Sequence, residues 1–221
     1  MSGSAFDPSF DDLPSRLPVF PLTGVLLLPG GRLPLNIFEP RYLAMTRHAL
    51  GHGQMIGMIQ PQDGAGDVGN PPLYRTGCMG RITEFQETDD GRYLINLKGC
   101  ARFDVASEPP RANLFRIVEP DWRRYAGDLE ETEPEIERDR LVAALKPYFR
   151  RRGIDADFAA IAKAPAERLV ASLAMMCPFE PREKQALLEA ADATARSQLL
   201  VTLIEMATVS SGGGDAGPAR H

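Results

Sequence analysis

The histidines are the first residues to consider for metal chemistry, because His48 and His52 stand four positions apart. On a helix this spacing would place both imidazoles on one face, where they could share a metal ion. Gly51 lies between them and is typical of a helix end, and no acidic residue or third ligand lies nearby in the sequence. We therefore favour a surface or capping role for the pair over a metal site, and we predict no bound metal and no cofactor.

The three cysteines are the candidate nucleophiles. Cys78, Cys100 and Cys177 are far apart and odd in number, so they predict neither a disulfide framework nor a C-x-x-C zinc site. Cys78 and Cys100 each follow a glycine in apolar surroundings, which is typical of small buried side chains. A Cys–His pair could form only through a tertiary approach, and the sequence has no G-x-S-x-G elbow. A hydrolase that uses Cys78 or Cys100 therefore ranks last among our hypotheses.

The block Glu39-Pro40-Arg41-Tyr42 brings a carboxylate, a guanidinium and a phenol together within four residues. One interpretation makes Glu39 and Arg41 a pair that binds a ligand. The other is structural: Pro40 begins a helix, Tyr42 packs, and Arg41 bridges to a neighbouring acid. We favour the structural interpretation, with Gly51 at the end of the helix.

A basic cluster, Arg150-Arg151-Arg152, follows Lys146 at the predicted end of another helix. Cations at this position complement the helix dipole, and we favour this explanation over a phosphate-binding patch. The cluster nevertheless keeps an RNA-binding alternative open.

Short apolar runs separated by Gly, Pro and Asp fill the chain up to about residue 120 and predict β-strands. Asp90-Gly91 predicts a hairpin turn before an alternating run, and Gly77 and Gly80 indicate bulges or a barrel corner. Many short strands with close turns favour a closed barrel or a small sandwich. Residues 61–72 have no apolar pattern and predict a mobile surface loop. The predicted strands are 17–20, 25–28, 33–38, 54–60, 82–85, 92–98, 102–106 and 114–118.

After about residue 133 the sequence becomes rich in Ala and Leu with helical spacing. A capping-box pattern at 132–135 predicts a helix that Gly153 ends, and further helices are predicted after Pro165, from about Pro181 and after Asp192. Residues 119–140 carry nine acids and four bases. The predicted domains are a flexible leader at 1–15, a barrel at 16–120, an acidic linker at 121–132, a helical bundle at 133–208 and a disordered tail at 209–221.

Composition excludes several classes of protein. Among the 221 residues, 25 Lys and Arg against 30 Asp and Glu give a net charge of −5, which argues against a general nucleic-acid binder. The longest apolar run near the N-terminus, at 25–28, is far shorter than the ~20 residues of a membrane-spanning helix. The N-terminus has no basic region, so no signal peptide is predicted. Together with the isolated cysteines, these features predict a cytoplasmic protein that does not bind membranes.

Short motif blocks follow one another along the first 100 residues. They are LPVFPL at 17–22, VLLLPG at 25–30, LPLNIFEPRY at 33–42, GMI at 57–59, GCMGRI at 77–82, DGRY at 90–93, LKG at 97–99 and RF at 102–103. In order and spacing these blocks resemble the N-terminal domain family of Lon proteases. Pro178-Phe179 and residues 184–189 extend the resemblance into the helical part, over about residues 16–208 in all.

The resemblance implies an α+β fold, in which a PUA-like β-barrel with one inserted helix is followed by a C-terminal α-helical bundle. In Lon proteases this domain selects and holds protein substrates and helps oligomers to assemble, whereas an ATPase motor and a Ser-Lys protease lie in other domains. The sequence has no G-x-x-x-x-G-K-[ST] loop, and about 13 residues after the predicted bundle leave no room for a protease domain. We therefore expect a non-catalytic substrate-recognition domain that stands alone.

The expected partners are unfolded proteins or exposed hydrophobic segments, with a protease in trans as a further partner. Nucleic acid and membranes are not expected, although an RNA-binding PUA-like domain is the alternative function. The peptide-binding candidates are apolar residues of two predicted strands, Leu33, Leu35, Ile37, Ile56 and Met58, together with the predicted loop at 61–72 that follows the second strand. Alternation predicts that one of the pairs Ile56/Met58 and Met55/Ile59 faces outward. The family-signature residues, with a predicted structural role, are Glu39, Pro40, Arg41, Tyr42 and Gly80.

Overall fold

Six strands form one mixed sheet in the computed structural model, which describes residues 8–62, 70–110, 113–130 and 134–210. The strands are β1 (Leu17–Pro21), β2 (Arg32–Ile37), β3 (Met55–Pro61), β4 (Leu73–Glu87), β5 (Tyr93–Ser107) and β6 (Arg116–Asp121). Their order across the sheet is β2-β5-β4-β3-β1-β6, with β1 and β3 parallel and the other neighbours antiparallel. A short additional pairing of β6 with the end of β5 curls the sheet.

The α+β class is confirmed, but the predicted closed barrel is corrected to a curled mixed sheet of six strands. The reason is the length of β4 and β5, which have 15 residues each. Their outer halves pair with each other beyond the curl, and there β5 also pairs with β2, which has a strand neighbour on one side only among the described residues. Of the two glycines predicted to mark a bulge or a barrel corner, Gly80 lies at a register shift between β4 and β5, which falls between Met79 and Gly80, whereas Gly77 lies in register.

Residues 25–28 were predicted as a strand and are instead an irregular segment whose leucines are buried. The carbonyl oxygen of Leu28 lies only 2.0 Å from the position that a Cβ would take on Gly99 of β5. Gly99 also exchanges main-chain hydrogen bonds with Gly30 and Gly31. The segment is therefore apolar because it covers the sheet, and not because it belongs to it.

Six α-helices accompany the sheet. They are α1 (Pro40–Gly51), α2 (Arg138–Arg152), α3 (Phe158–Lys163), α4 (Ala166–Met176), α5 (Pro181–Glu189) and α6 (Ala193–Ser210). Five of them lie where the sequence predicts them, although α2 begins later than the capping-box pattern indicated, and Gly153 ends it with a left-handed φ of 64°. Helix α3 was not predicted; the Asp157 carboxylate caps it by accepting the N–H groups of Ala159 and Ala160.

The chain divides into two compact units. The first contains the sheet, α1 and residues 171–189, and the second contains residues 134–170 and 190–210. Helix α5 thus belongs with the sheet, to which buried side chains connect it: Gln185 accepts a hydrogen bond from Gln60 and donates one to the carbonyl of Thr76. The domain boundaries predicted from composition stay a prediction, and in the structure residues 123–129 of the predicted linker form a 3-10 helix.

The predicted leader, loop and tail fall mainly outside the part of the chain that the structure describes. Residues 1–7, 63–69 and 211–221 lie there, as do Thr132 and Glu133 of the capping-box pattern. Within the described residues, no helix has the length and apolarity needed to cross a membrane.

Candidate functional site

A cleft of about 530 Å³ opens in the first unit beside the N-terminus of α1. It is lined by the end of β1 and the residues that follow, by the first turn of α1 and by the segments that flank β3, β4 and β6. Its lining residues are Pro21, Leu22, Thr23, Glu39, Arg41, Tyr42, Pro61, Pro71, Leu114, Phe115 and Arg116. The cleft therefore gathers side chains from segments that are far apart in the sequence.

One wall of the cleft is the signature block at the start of α1. Pro40 takes the first helical position, where its missing N–H costs no hydrogen bond. The Arg41 guanidinium donates to the Glu39 carboxylate at 2.8 and 2.9 Å and lies 4.5 Å from the centre of the Tyr42 ring. Tyr42 is buried against Phe20, and its hydroxyl donates to the carbonyl of Pro21 at 3.3 Å. These contacts fix the wall and leave Arg41 half-exposed.

Another part of the lining is the segment that enters β6. The Leu114 side chain is 69% exposed, whereas Phe115 is buried and its ring lies 5.2 Å from that of His48. Arg116 is also buried, and its guanidinium pairs with both carboxylate oxygens of Glu108. The exposed side chain of Leu114 next to the buried ring of Phe115 offers a surface on which another apolar chain can pack.

Charge is balanced inside the cleft. Each charged side chain that lines it has an opposite charge beside it: Arg41 has Glu39, and Arg116 has Glu108. Pro21, Pro61 and Pro71 contribute carbon surface and no N–H donor. The lining thus combines apolar and polar groups without an unpaired charge, and it suits an uncharged chain segment better than an ionic ligand.

The peptide-binding candidates lie apart from this cleft. Ile56 and Met58 are buried, as are Met55 and Ile59, so the expectation that one pair faces outward is wrong. Strand β3 lies between β1 and β4 and is covered on both faces, which removes the usual alternation. Ile37 is also buried, and Gly80 is closely covered, because a Cβ there would lie 2.8 Å from Leu27.

Leu33 and Leu35 are the two candidates that keep some exposure, since both are half-buried on β2. Leu35 borders a second hollow of about 520 Å³, where Phe85 and Leu94 are exposed. The sequence pointed to this surface and, through the predicted loop at 61–72, to Pro61 and Pro71 of the cleft. It contained no signal for Leu114, Phe115 and Arg116, whose common property is proximity in the fold.

The histidine pair forms part of the support behind the cleft. The rings of His48 and His52 are stacked with centroids 4.1 Å apart, and Nδ1 of His52 lies 2.7 Å from the carbonyl oxygen of His48. Burial, and then the neighbouring His52, lower the pKa of His48. Among the described residues no group of three or more His, Cys, Asp or Glu side chains could hold a metal ion.

The other candidates for chemistry have structural surroundings. Cys78, Cys100 and Cys177 are free thiols, and all three are buried. In the basic cluster, Arg151 donates to the carbonyl of Thr208, and Arg152 lies 4.7 Å from the centre of the Tyr148 ring. These contacts agree with a role at the end of α2.

Comparison with known families gives a match over most of the chain. Residues 16–206 match the family described as the ATP-dependent protease La (LON) substrate-binding domain. Lon protease 2 of Myxococcus xanthus is 28% identical over 207 residues, which cover 88% of this chain and 24% of that protein. The chain thus spans about a quarter of the length of the curated relatives that it matches.

Two solved structures are similar in fold. The crystal structure of a Lon N-terminal domain protein from Xanthomonas campestris has a TM-score of 0.59 and 26% identity, over 85% of this chain and 97% of that one. The N-terminal domain of a Mycobacterium avium complex Lon protease has a TM-score of 0.55 at 16% identity, over 86% and 97% of the two chains. The second likeness, at this identity, concerns the fold alone.

Proposed function

The chain belongs to the family of LON substrate-binding domains, and from that premise we propose that its cleft binds exposed apolar segments of other proteins. The observation that carries the proposal is the neutral, proline- and leucine-lined cleft beside the signature block. An unfolded client offers mainly apolar side chains and backbone, and both find complementary surface there.

Binding is expected to be weak and nearly independent of salt. A flexible client loses conformational entropy when it is ordered, which offsets much of the contact energy. Because the charges of the cleft are already paired on this chain, screening by salt removes little of the attraction.

We also propose that this chain recognises clients without cutting them. The family is one of substrate binding, so cleavage of a bound client would fall to a protease domain elsewhere in the same chain or in another one. The chain would then act either as an adaptor to that protease or as a factor that holds unfolded proteins.

The test is a titration with reduced and carboxymethylated α-lactalbumin, a permanently unfolded protein, followed by fluorescence anisotropy at low and high salt. Leu114→Ser removes the exposed apolar side chain of the cleft and is expected to weaken binding roughly tenfold, the loss that corresponds to about one buried leucine side chain. Leu94→Ser is the matched control, because Leu94 is also an exposed leucine but borders the second hollow.

The outcomes separate the two surfaces. A loss of affinity in Leu114→Ser alone supports the cleft, whereas a loss in Leu94→Ser alone moves binding to the surface next to β2. No binding by the unmodified protein at high micromolar concentration would contradict the proposal altogether. Binding that disappears with modest salt would favour a charged surface such as the basic cluster of α2.

A further inference from the structure

Arg116 stands out because it lines the cleft and yet its side chain is only 7% exposed. A guanidinium is costly to bury unless its N–H groups find acceptors. The position of those acceptors therefore shows what the buried arginine holds in place.

The acceptors come from two other segments of the chain. Nε and Nη2 of Arg116 donate to the two carboxylate oxygens of Glu108, at 2.7 and 2.5 Å, and Nη1 donates to the carbonyl of Pro71 at 2.6 Å. Glu108 directly follows β5, and Pro71 precedes β4. The planar fork of an arginine is suited to hold several acceptors at once.

Two of the segments tied together in this way line the cleft, and we call residues 70–72 and 113–115 its two rims. Pro71 belongs to the first rim, and Leu114 and Phe115, directly before Arg116, belong to the second. Both rims lie outside the strands, and the first is also held by a hydrogen bond from the N–H of Gln62 to the carbonyl of Pro72. Arg116, the Glu108 carboxylate and the Pro71 carbonyl, which we call the Arg116 clamp, join one rim to the other.

We propose that the Arg116 clamp holds the two rims together, keeps the cleft formed before a client binds and thereby controls the entry of clients. The inference rests on the proposed function, because it concerns the same cleft. A cleft that is already formed binds a flexible segment with a smaller loss of entropy than one whose rims must be ordered on binding. Without the clamp, the rims move apart and the cleft loses affinity.

The direct test is backbone hydrogen exchange of the free protein, with no client present. Arg116→Met keeps most of the volume of the side chain and removes its donors. The amides of Leu73, Tyr74 and Arg116, the strand residues that adjoin the two rims, are expected to exchange at least about tenfold faster, while those of β3 keep their protection. Arg123→Met is the control for the substitution itself, because Arg123 also pairs with both oxygens of one carboxylate, that of Asp121, but is exposed and lies outside the cleft lining.

A second measurement gives the effect on clients. Arg116→Met is expected to bind carboxymethylated α-lactalbumin about tenfold more weakly than the unmodified protein. Arg116→Lys keeps the charge without the fork and is expected to behave like Arg116→Met. If Arg116→Met fails to fold, Glu108→Gln, which keeps the shape and loses the charge of the partner, gives the same two readouts.

The outcomes distinguish this inference from the proposed function, because hydrogen exchange needs no client. Unchanged rim exchange in a folded variant would overturn the clamp, as would acceleration spread evenly through the first unit. Full function of Arg116→Lys would also overturn it, since charge alone would then suffice. Faster rim exchange with unchanged affinity would overturn the control of entry, and faster rim exchange with lower affinity supports the whole inference.

Discussion

At the scale of single residues, the cleft depends on side chains whose role is decided by what stands next to them. Arg41 and Arg116 are the same residue type on the same cleft, yet one is half-exposed beside a near neighbour in sequence and the other is buried by distant segments. The sequence could predict an acid beside Arg41, because Glu39 is two positions away. It could not predict the partners of Arg116, because Pro71 lies 45 residues from it and meets it only in the fold.

His48 makes stability dependent on pH. Its pKa is lowered in the folded protein, so the unfolded chain binds its proton more tightly. Its contribution is therefore fully present above about pH 6.5, the ordinary value for histidine, and is lost as the pH falls through the lower folded pKa. We expect a smaller free energy of unfolding at pH 5.5 than at pH 7.5, and a weaker dependence in His48→Gln, measured by urea denaturation. An equal dependence in both proteins would contradict this assignment.

Gly99 is required by the close approach of Leu28. A Cβ at this position would meet the Leu28 carbonyl at 2.0 Å, so the backbone must shift. Gly99→Ala is expected to lower the free energy of unfolding by about 1–3 kcal/mol, as overpacking does in other cores. Gly51→Ala is the matched control, since nothing lies within 4 Å of its Cβ position and its φ is not in the left-handed region. Equal stabilities of the Gly99→Ala and Gly51→Ala variants in thermal melts would show that the segment 25–28 does not pack closely against the sheet.

At the scale of elements, helices were easier to predict than strands. Helix α1 lies between Pro40 and Gly51, as its local signals require, because capping and periodicity act within a few residues. The extent of β5 depends on its neighbours β2, β4 and β6, which no local pattern contains. For the same reason the prediction that one face of β3 is exposed was wrong, because the elements that cover both faces of this strand come from other parts of the chain.

The prediction at the scale of elements concerns the 3-10 helix at Arg123–Leu129 and the buried arginine that holds it. Arg102 of β5 is 2% exposed; it donates to both carboxylate oxygens of Asp128 and to the carbonyl of Leu188 at the end of α5. Removal of one partner leaves a nearly buried charge, so Arg102→Met is expected to cost about 3–5 kcal/mol of unfolding free energy.

The control for this prediction is Arg92→Met, which breaks an exposed ion pair with Asp90 and should change stability far less. Chemical denaturation of both variants makes the comparison. Similar small losses in the two would mean that residues 123–129 are a loosely attached connection, as the acidic composition first suggested.

At the scale of the whole molecule, charge disfavours one class of partner. The net charge of −5 gives little attraction for polyanions, and the charged side chains that line the cleft are already paired on this chain. The sequence predicted the family and the kind of partner through short motif blocks. It placed the contact residues on β2 and β3, because the composition of an apolar strand does not show whether the rest of the fold covers that strand or leaves it exposed.

The proposed cleft is tested most directly by an NMR titration of the isotope-labelled chain with unlabelled carboxymethylated α-lactalbumin. The account predicts that shift changes concentrate at residues 22–23, 39–42 and 114–116, and that Leu114→Ser diminishes them at the same client concentration. Changes that centre instead on Leu35, Phe85 and Leu94, or on the second unit, would contradict the account.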